Sequence, residues 1–139
     1  ISRGTHVPLI ASWKGKISPG VTNPSLVDFT DFSPTFLEVA GSSKKKSGLK
    51  GVSLYAQLTG KQVPNRDWIF CHYDPKWGKF TRKVFAQTTD WKVYENGDIF
   101  NIKADPDELK SLKKSALNPK DASVINMLKK VIDQQEHFR

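Results

Sequence analysis

The sequence predicts an α+β fold, a small antiparallel sheet packed by a C-terminal helix. Three observations predict it. Residues 91–94 (WKVY) and 99–102 (IFNI) are aromatic, β-branched and alternating, and they flank Glu95-Asn96-Gly97-Asp98. Asn-Gly suits a two-residue type I′ turn, because both residues tolerate positive φ. Residues 84–88 supply a third strand of the same character. Asn118-Pro119 then opens a stretch in which Val124, Ile125, Leu128, Val131 and Ile132 recur at helical spacing. With Asn118 as N-cap and Pro119 in the first turn, this predicts a helix to about Glu136 whose apolar stripe packs on the sheet.

The other elements follow in chain order. Residues 7–13 (VPLIASW) are a short apolar run closed by turn residues at 14–16 and 18–20. They predict a buried strand with Pro8 at its start. Residues 21–26 read as loop. Ser33 is placed to cap a helix, Pro34 to sit in its first turn and Gly41 to end it. Phe32, Phe36, Leu37 and Ala40 fall on one face of that helix. Residues 42–51 read as a polar linker, with Lys44, Lys45 and Lys46 at a flexible loop tip. A short helix is expected over 53–58, with Gly60 beyond it, and a buried strand over 68–73 (WIFCHY). Residues 74–79 form a loop. Asp105-Pro106 ends the sheet, since proline has no N–H to give to a ladder. No internal repeat is visible.

Composition narrows the classes. At 139 residues the chain can build one core, and one domain is the prior. Its hydrophobic share of 37% is low for a globular chain, yet four Trp and eight Phe argue against disorder. No apolar run approaches the roughly 18 residues that span a bilayer. No signal peptide is visible, and Ile1 reads as a boundary rather than an initiator. Cys71 stands alone, which excludes an internal disulfide framework and a cysteine-based zinc site. His6, His72 and His137 show no metal-ligand spacing. A net charge of +8 suits acidic partners: nucleic acid, anionic polysaccharide or a membrane surface. The plain reading is that lysines solvate a surface. Neither a helix-turn-helix nor an aromatic RNA-binding pattern is present, which disfavours nucleic acid.

Four segments, in order, resemble the sulfatase family. Residues 4–17 (GTHVPLIASWKGKI) are similar to the family pattern G-G-x-R-V-P-L-I-x-x-W-P-G-x-I. Residues 26–41 (LVDFTDFSPTFLEVAG) are similar to V-x-x-x-D-L-x-P-T-L-L-D-L-A-G. Residues 51–60 (GVSLYAQLTG) are similar to G-x-S-L-x-P-L-L-x-G. The hairpin and its continuation to Asp105-Pro106-Asp107-Glu108 resemble a W/Y-K-Y/L-I strand followed by x-L-Y-D-L-x-x-D-P-x-E. Phe100 and Asn101 stand where the family usually has Tyr and Asp.

The resemblance implies the C-terminal portion of an alkaline-phosphatase-like fold. Residues 1–61 would be a remnant of the catalytic domain, including its strand and helix, and 62–139 the C-terminal subdomain. It also implies a parent that hydrolyses sulfate esters with a formylglycine nucleophile and calcium. The family makes formylglycine from Cys or Ser in a C/S-x-P-x-R motif. Cys71, in Phe70-Cys71-His72-Tyr73, lacks that Pro and Arg. The family's calcium-binding Asp-Asp pair and Asp-Asn/His-Gly segment are not found, and its active-site Lys would fall before Ile1. Arg3 stands where the family has a small residue. The expectation is a chain with no catalytic residue, metal ligand or cofactor of its own. Calcium and formylglycine belong to the parent, in a periplasmic, secreted or lysosomal setting.

Four residues are candidates for substrate binding. His6 stands two residues before Pro8, where the family usually has an Arg at the cleft. His72 lies at a strand end whose following loop is near the cleft in the family. Trp77, with Lys79 and Arg82, offers a ring for a sugar and cations for sulfate. The plain alternatives are a half-buried histidine and a solvated loop. Tyr55, Trp68 and Phe85 are most simply core. The expected partner is a sulfated small molecule or sulfated polysaccharide, with self-association through exposed apolar surface also expected. The competing reading is a stand-alone basic module that binds acidic polysaccharide.

Overall fold

The structure, a computed structural model, describes residues 6–42, 48–64 and 66–135. Arg3, the lysine run at 44–46, Glu136 and His137 lie outside the described residues. The chain divides into two compact units. One comprises Pro8–Arg66, the other Asp67–Arg139 together with Ile1–Val7.

The sheet lies in the second unit. Its strands are β1 (Ile69–Tyr73), β2 (Lys83–Gln87), β3 (Trp91–Tyr94) and β4 (Ile99–Asn101), antiparallel in the order β1-β2-β3-β4. The period-two alternation of strand side chains sorts these residues onto two faces. Val84, Ala86, Trp91, Val93 and Ile99 form one face, and a helix, α3 (Pro119–Gln134), covers it. Ile125, Leu128, Val131 and Ile132 of α3 are buried there, and Trp68, Phe70 and Val124 pack around them. Asn118 caps α3 by accepting from the Asp121 N–H at 2.9 Å, with Pro119 in the first turn. β1 is half-buried rather than buried, because it is an edge strand.

The hairpin turn differs from the expected two-residue type I′ form. Gly97 alone in the turn has positive φ, at 94°, so Asn96 does not take the left-handed conformation that type I′ requires. Instead the Gly97 N–H donates to the Tyr94 carbonyl (3.0 Å) and the Tyr94 N–H to the Asp98 carbonyl (2.9 Å). This is a type I turn with a left-handed glycine bulge, the three-residue solution for a hairpin.

The Pro8–Arg66 unit has a different construction. It contains a 3₁₀ turn (Phe29–Asp31), α1 (Phe32–Val39) and α2 (Tyr55–Leu58). The expected buried strand at residues 7–13 is not formed; these residues have no regular secondary structure and are exposed, Ile10 at 88%. A strand needs a neighbour for its N–H and C=O groups, and this unit has no other strand among the described residues. α1 also begins earlier than expected. Asp28, not Ser33, makes the capping box, ahead of the 3₁₀ turn that feeds α1. The face bearing Phe36 and Ala40 is exposed; the buried positions are Asp31 and Thr35. Both helices stop as their glycines predict. Gly41 (φ 68°) and Gly60 (φ 79°) take the left-handed conformation. The paired bonds Ser42 N–H to Leu37 O and Gly41 N–H to Glu38 O close α1, and Lys61 to Ala56 with Gly60 to Gln57 close α2.

Candidate functional site

Two polar networks and one exposed loop hold the chemistry-bearing side chains. The first network centres on Asp31, 1% exposed. One carboxylate oxygen accepts the Asp28 N–H (2.9 Å), the other accepts the Val52 N–H (2.7 Å) and pairs with the Arg66 guanidinium. The Asp31 carbonyl accepts the Thr35 hydroxyl, which in turn accepts the Leu54 N–H at 2.8 Å. Asp31 thus ties the residues after Gly51 to α1. Gly51 has to be glycine: a Cβ there would lie 1.9 Å from the Thr30 carbonyl oxygen. The sulfatase-like patterns at 26–41 and 51–60 are therefore the two sides of one packed junction.

The second network lies on the sheet face opposite α3. Lys92, 1% exposed, donates to Glu108 Oε1 at 2.9 Å, and the Tyr94 hydroxyl donates to Glu108 Oε2 at 2.6 Å. Lys92 Nζ also sits 3.9 Å from the Phe85 ring centroid. A lysine buried alone would be strongly destabilising; the carboxylate and the ring face replace its water. Glu108 reaches this position with a left-handed backbone (φ 55°), after Asp105 has accepted the Leu109 and Lys110 N–H groups. Burial first, then the bond to Glu108, pushes the Tyr94 phenol above its ordinary pKa. The Lys of W-K-Y and the Glu of D-P-x-E are partners in this network. Sequence reasoning quoted both residues and missed the pairing. A shallow hollow of about 190 Å³ beside them is lined by Lys83, Tyr94, Asn96, Asp98, Phe100 and Glu108.

The exposed loop joins β1 to β2. Tyr73 pairs with Lys83 across the hairpin, so residues 74–82 form the connection. His72 faces Val84 in the register and is exposed. Trp77 and Lys79 are exposed in the loop. Arg82 is committed elsewhere: its guanidinium makes a bidentate pair with Glu95, at 3.0 and 2.9 Å. The cation expected beside Trp77 is thus paired with Glu95 rather than unpartnered. Two rings that sequence reasoning passed over, Tyr73 and Phe80, join Trp77 instead. The signal was the loop length: a hairpin returning at Lys83 brings Phe80 back beside Trp77. Of the four expected binding residues, His72 lies in β1, Trp77 and Lys79 lie in this loop, and His6 is exposed in the N-terminal segment. Among the described residues no three His, Cys, Asp or Glu side chains converge to hold a metal ion. No helix of the described chain is long and apolar enough to cross a membrane.

A four-stranded antiparallel sheet covered by a C-terminal helix, in a chain whose segments carry the sulfatase-like patterns, marks the C-terminal portion of a sulfatase. The chain belongs to the family described as N-sulphoglucosamine sulphohydrolase, C-terminal, which it matches over residues 2–137. It is 37% identical over 67 residues to an ulvan-active sulfatase of Formosa agariphila, covering 48% of this chain and 13% of that one. It is 34% identical over 86 residues to arylsulfatase A of Homo sapiens, covering 62% and 16%. It is 28% identical over 118 residues to an N-acetylglucosamine-6-O-sulfatase of Bacteroides thetaiotaomicron, covering 77% and 21%. Among solved structures it resembles BT4656 in complex with its substrate D-glucosamine-2-N,6-O-disulfate, at TM-score 0.61 and 25% identity, covering 76% of this chain and 23% of that one. The fold is also that of BT1596, a 2-O GAG sulfatase, at TM-score 0.56, with 22% identity and coverage of 76% and 23%. The chain thus spans 13% to 21% of the length of these curated relatives.

Proposed function

We propose that the protein of which this chain is the C-terminal portion hydrolyses a sulfate ester on a carbohydrate. In this reading the chain supplies scaffold and part of the substrate cleft, and has no sulfatase activity by itself. One observation carries the reading: the family match runs from residue 2 to residue 137. The residues of its patterns build the Asp31 and Lys92–Glu108 networks. The named relatives act on ulvan and on N-acetylglucosamine-6-O-sulfate groups, and one neighbour holds a disulfated glucosamine; this supports a sulfated carbohydrate as substrate. The formylglycine and calcium that the resemblance implies belong, in this reading, to other parts of the parent. His6, His72, Trp77 and Lys79 are the residues assigned to substrate contact. Imidazole and ammonium groups donate to sulfate oxygens, and an indole stacks on a sugar ring. A periplasmic, secreted or lysosomal setting belongs to the same reading.

The net charge of +8 favours one second reading, a stand-alone basic module that binds acidic polysaccharide. Sulfate release separates the two. The full-length gene product should release sulfate from p-nitrophenyl sulfate or from 6-sulfated N-acetylglucosamine oligosaccharides, and this 139-residue chain should release none. Turnover by the pure chain would overturn its assigned inactivity. A full-length product that binds these substrates without releasing sulfate would favour the binding module.

A further inference from the structure

The β1–β2 loop carries a cluster of rings that its own unit does not cover. Tyr73, Phe80 and Trp77 are 42%, 58% and 66% exposed. They are nevertheless packed on one another, edge to face. The Trp77 and Phe80 centroids are 5.3 Å apart at 73°, and Tyr73 and Phe80 are 6.5 Å apart at 88°. Such T-shaped contacts hold rings in a fixed arrangement while leaving their outer faces open. Lys76 (φ 53°) and Gly78 (φ 67°) flank Trp77 with left-handed backbone.

The cations around this cluster divide into two kinds. Arg82 is held by Glu95, and Lys83 Nζ lies over the Tyr94 ring at 5.6 Å. Lys76 and Lys79 are exposed and have no ion-pair partner among the described residues. Asp74 is the single acid in the loop. An apolar protein surface would leave these ammonium groups without a counter-charge. A ligand that presents C–H faces and anions at short intervals satisfies both the rings and the lysines.

We propose that Tyr73, Trp77 and Phe80, with Lys76 and Lys79, form a stacking platform for the pyranose rings of a sulfated polysaccharide chain. The platform holds the polymer rather than the ester being cleaved, and its choice of ligand rests on the sulfated-carbohydrate reading above.

The test is affinity electrophoresis of the chain through gels containing heparin, fully desulfated heparin, polyphosphate or oligo(dT). Trp77→Ala with Phe80→Ala removes no charge and touches exposed rings, so the melting temperature should not move. This variant should bind heparin at least about tenfold more weakly, as loss of an aromatic anchor does, with polyphosphate and oligo(dT) binding unchanged. Lys76→Ala with Lys79→Ala should weaken heparin binding more than Lys113→Ala with Lys114→Ala, which removes the same charge elsewhere. Unchanged heparin binding in the aromatic variant would overturn the platform, and so would an equal loss for heparin and oligo(dT). Sulfate release is not read in this experiment. A full-length product without turnover, but with Trp77-dependent heparin binding, would therefore remove the catalytic reading and leave the platform standing.

Discussion

The two units keep their shape by opposite means. The Asp67–Arg139 unit has an apolar core in which sheet residues such as Ala86 and Val93 meet Ile125 and Leu128, all at 0% exposure. The Pro8–Arg66 unit buries Leu54, Asp31 and Thr35, and leaves Ile10, Phe29 and Phe36 largely exposed. Its centre is a carboxylate with its hydrogen bonds, not a cluster of hydrocarbon. Hydrophobic burial, roughly proportional to area and tolerant of direction, makes one unit robust. The other depends on a few directional contacts, each costly to break because the groups left behind stay buried.

Breaking the Asp31 network should have the largest effect. Asp31→Ala strands Arg66 and the Val52 N–H, and loss of one partner of such a pair costs about 3–5 kcal/mol. Amide exchange should then become fast at Val52 and Leu54 and stay slow at Val93 and Leu128. Equal acceleration in both units would show that the two constructions are not independent. Next comes Leu128→Ala, a cavity in the apolar core, expected to cost about 2–5 kcal/mol. Its exchange pattern should be the reverse, with Val93 and Ile125 affected and Leu54 spared.

Tyr94→Phe tests whether the second unit, too, leans on a polar network. Loss of the bond to Glu108 should cost about 1.5–3 kcal/mol at neutral pH, since the acceptor is charged. Its pH dependence has a definite sign. The folded chain holds the Tyr94 phenol above the ordinary value near 10, so it keeps a proton that the unfolded chain gives up. That stabilisation is whole below about pH 10 and is lost as pH rises through the folded value. The wild-type melting temperature should therefore fall more steeply above pH 10 than that of Tyr94→Phe; parallel alkaline limbs would remove the network from the account. The smallest effect is expected for Arg82→Ala. Its pair with Glu95 is at the surface, where side-chain entropy and solvent screening offset most of the attraction. A melting shift as large as that of Tyr94→Phe would contradict this ranking.

The strands and the helix of the second unit were legible in the sequence. Alternation in β2 to β4, Asn118-Pro119 and the spaced aliphatics of α3 are local signals. Each chose its element because sheet and helix periodicity appear within a few residues of chain. The helix stops at Gly41 and Gly60 were legible for the same reason, since positive φ is a property of one residue. The tertiary structure alone decided the rest. Residues 7–13 had the composition of a strand and lacked a partner, and pairing is a relation between distant segments. Asn96-Gly97 had the residues of a type I′ turn, but the register of β3 on β4 required a bulge. Asp31 with Arg66, Lys92 with Glu108, and Phe80 beside Trp77 were written as separate letters. They became sites only when the fold shortened the distances between them, because a hydrogen bond or a ring contact acts over a few ångströms and has no signature along the chain.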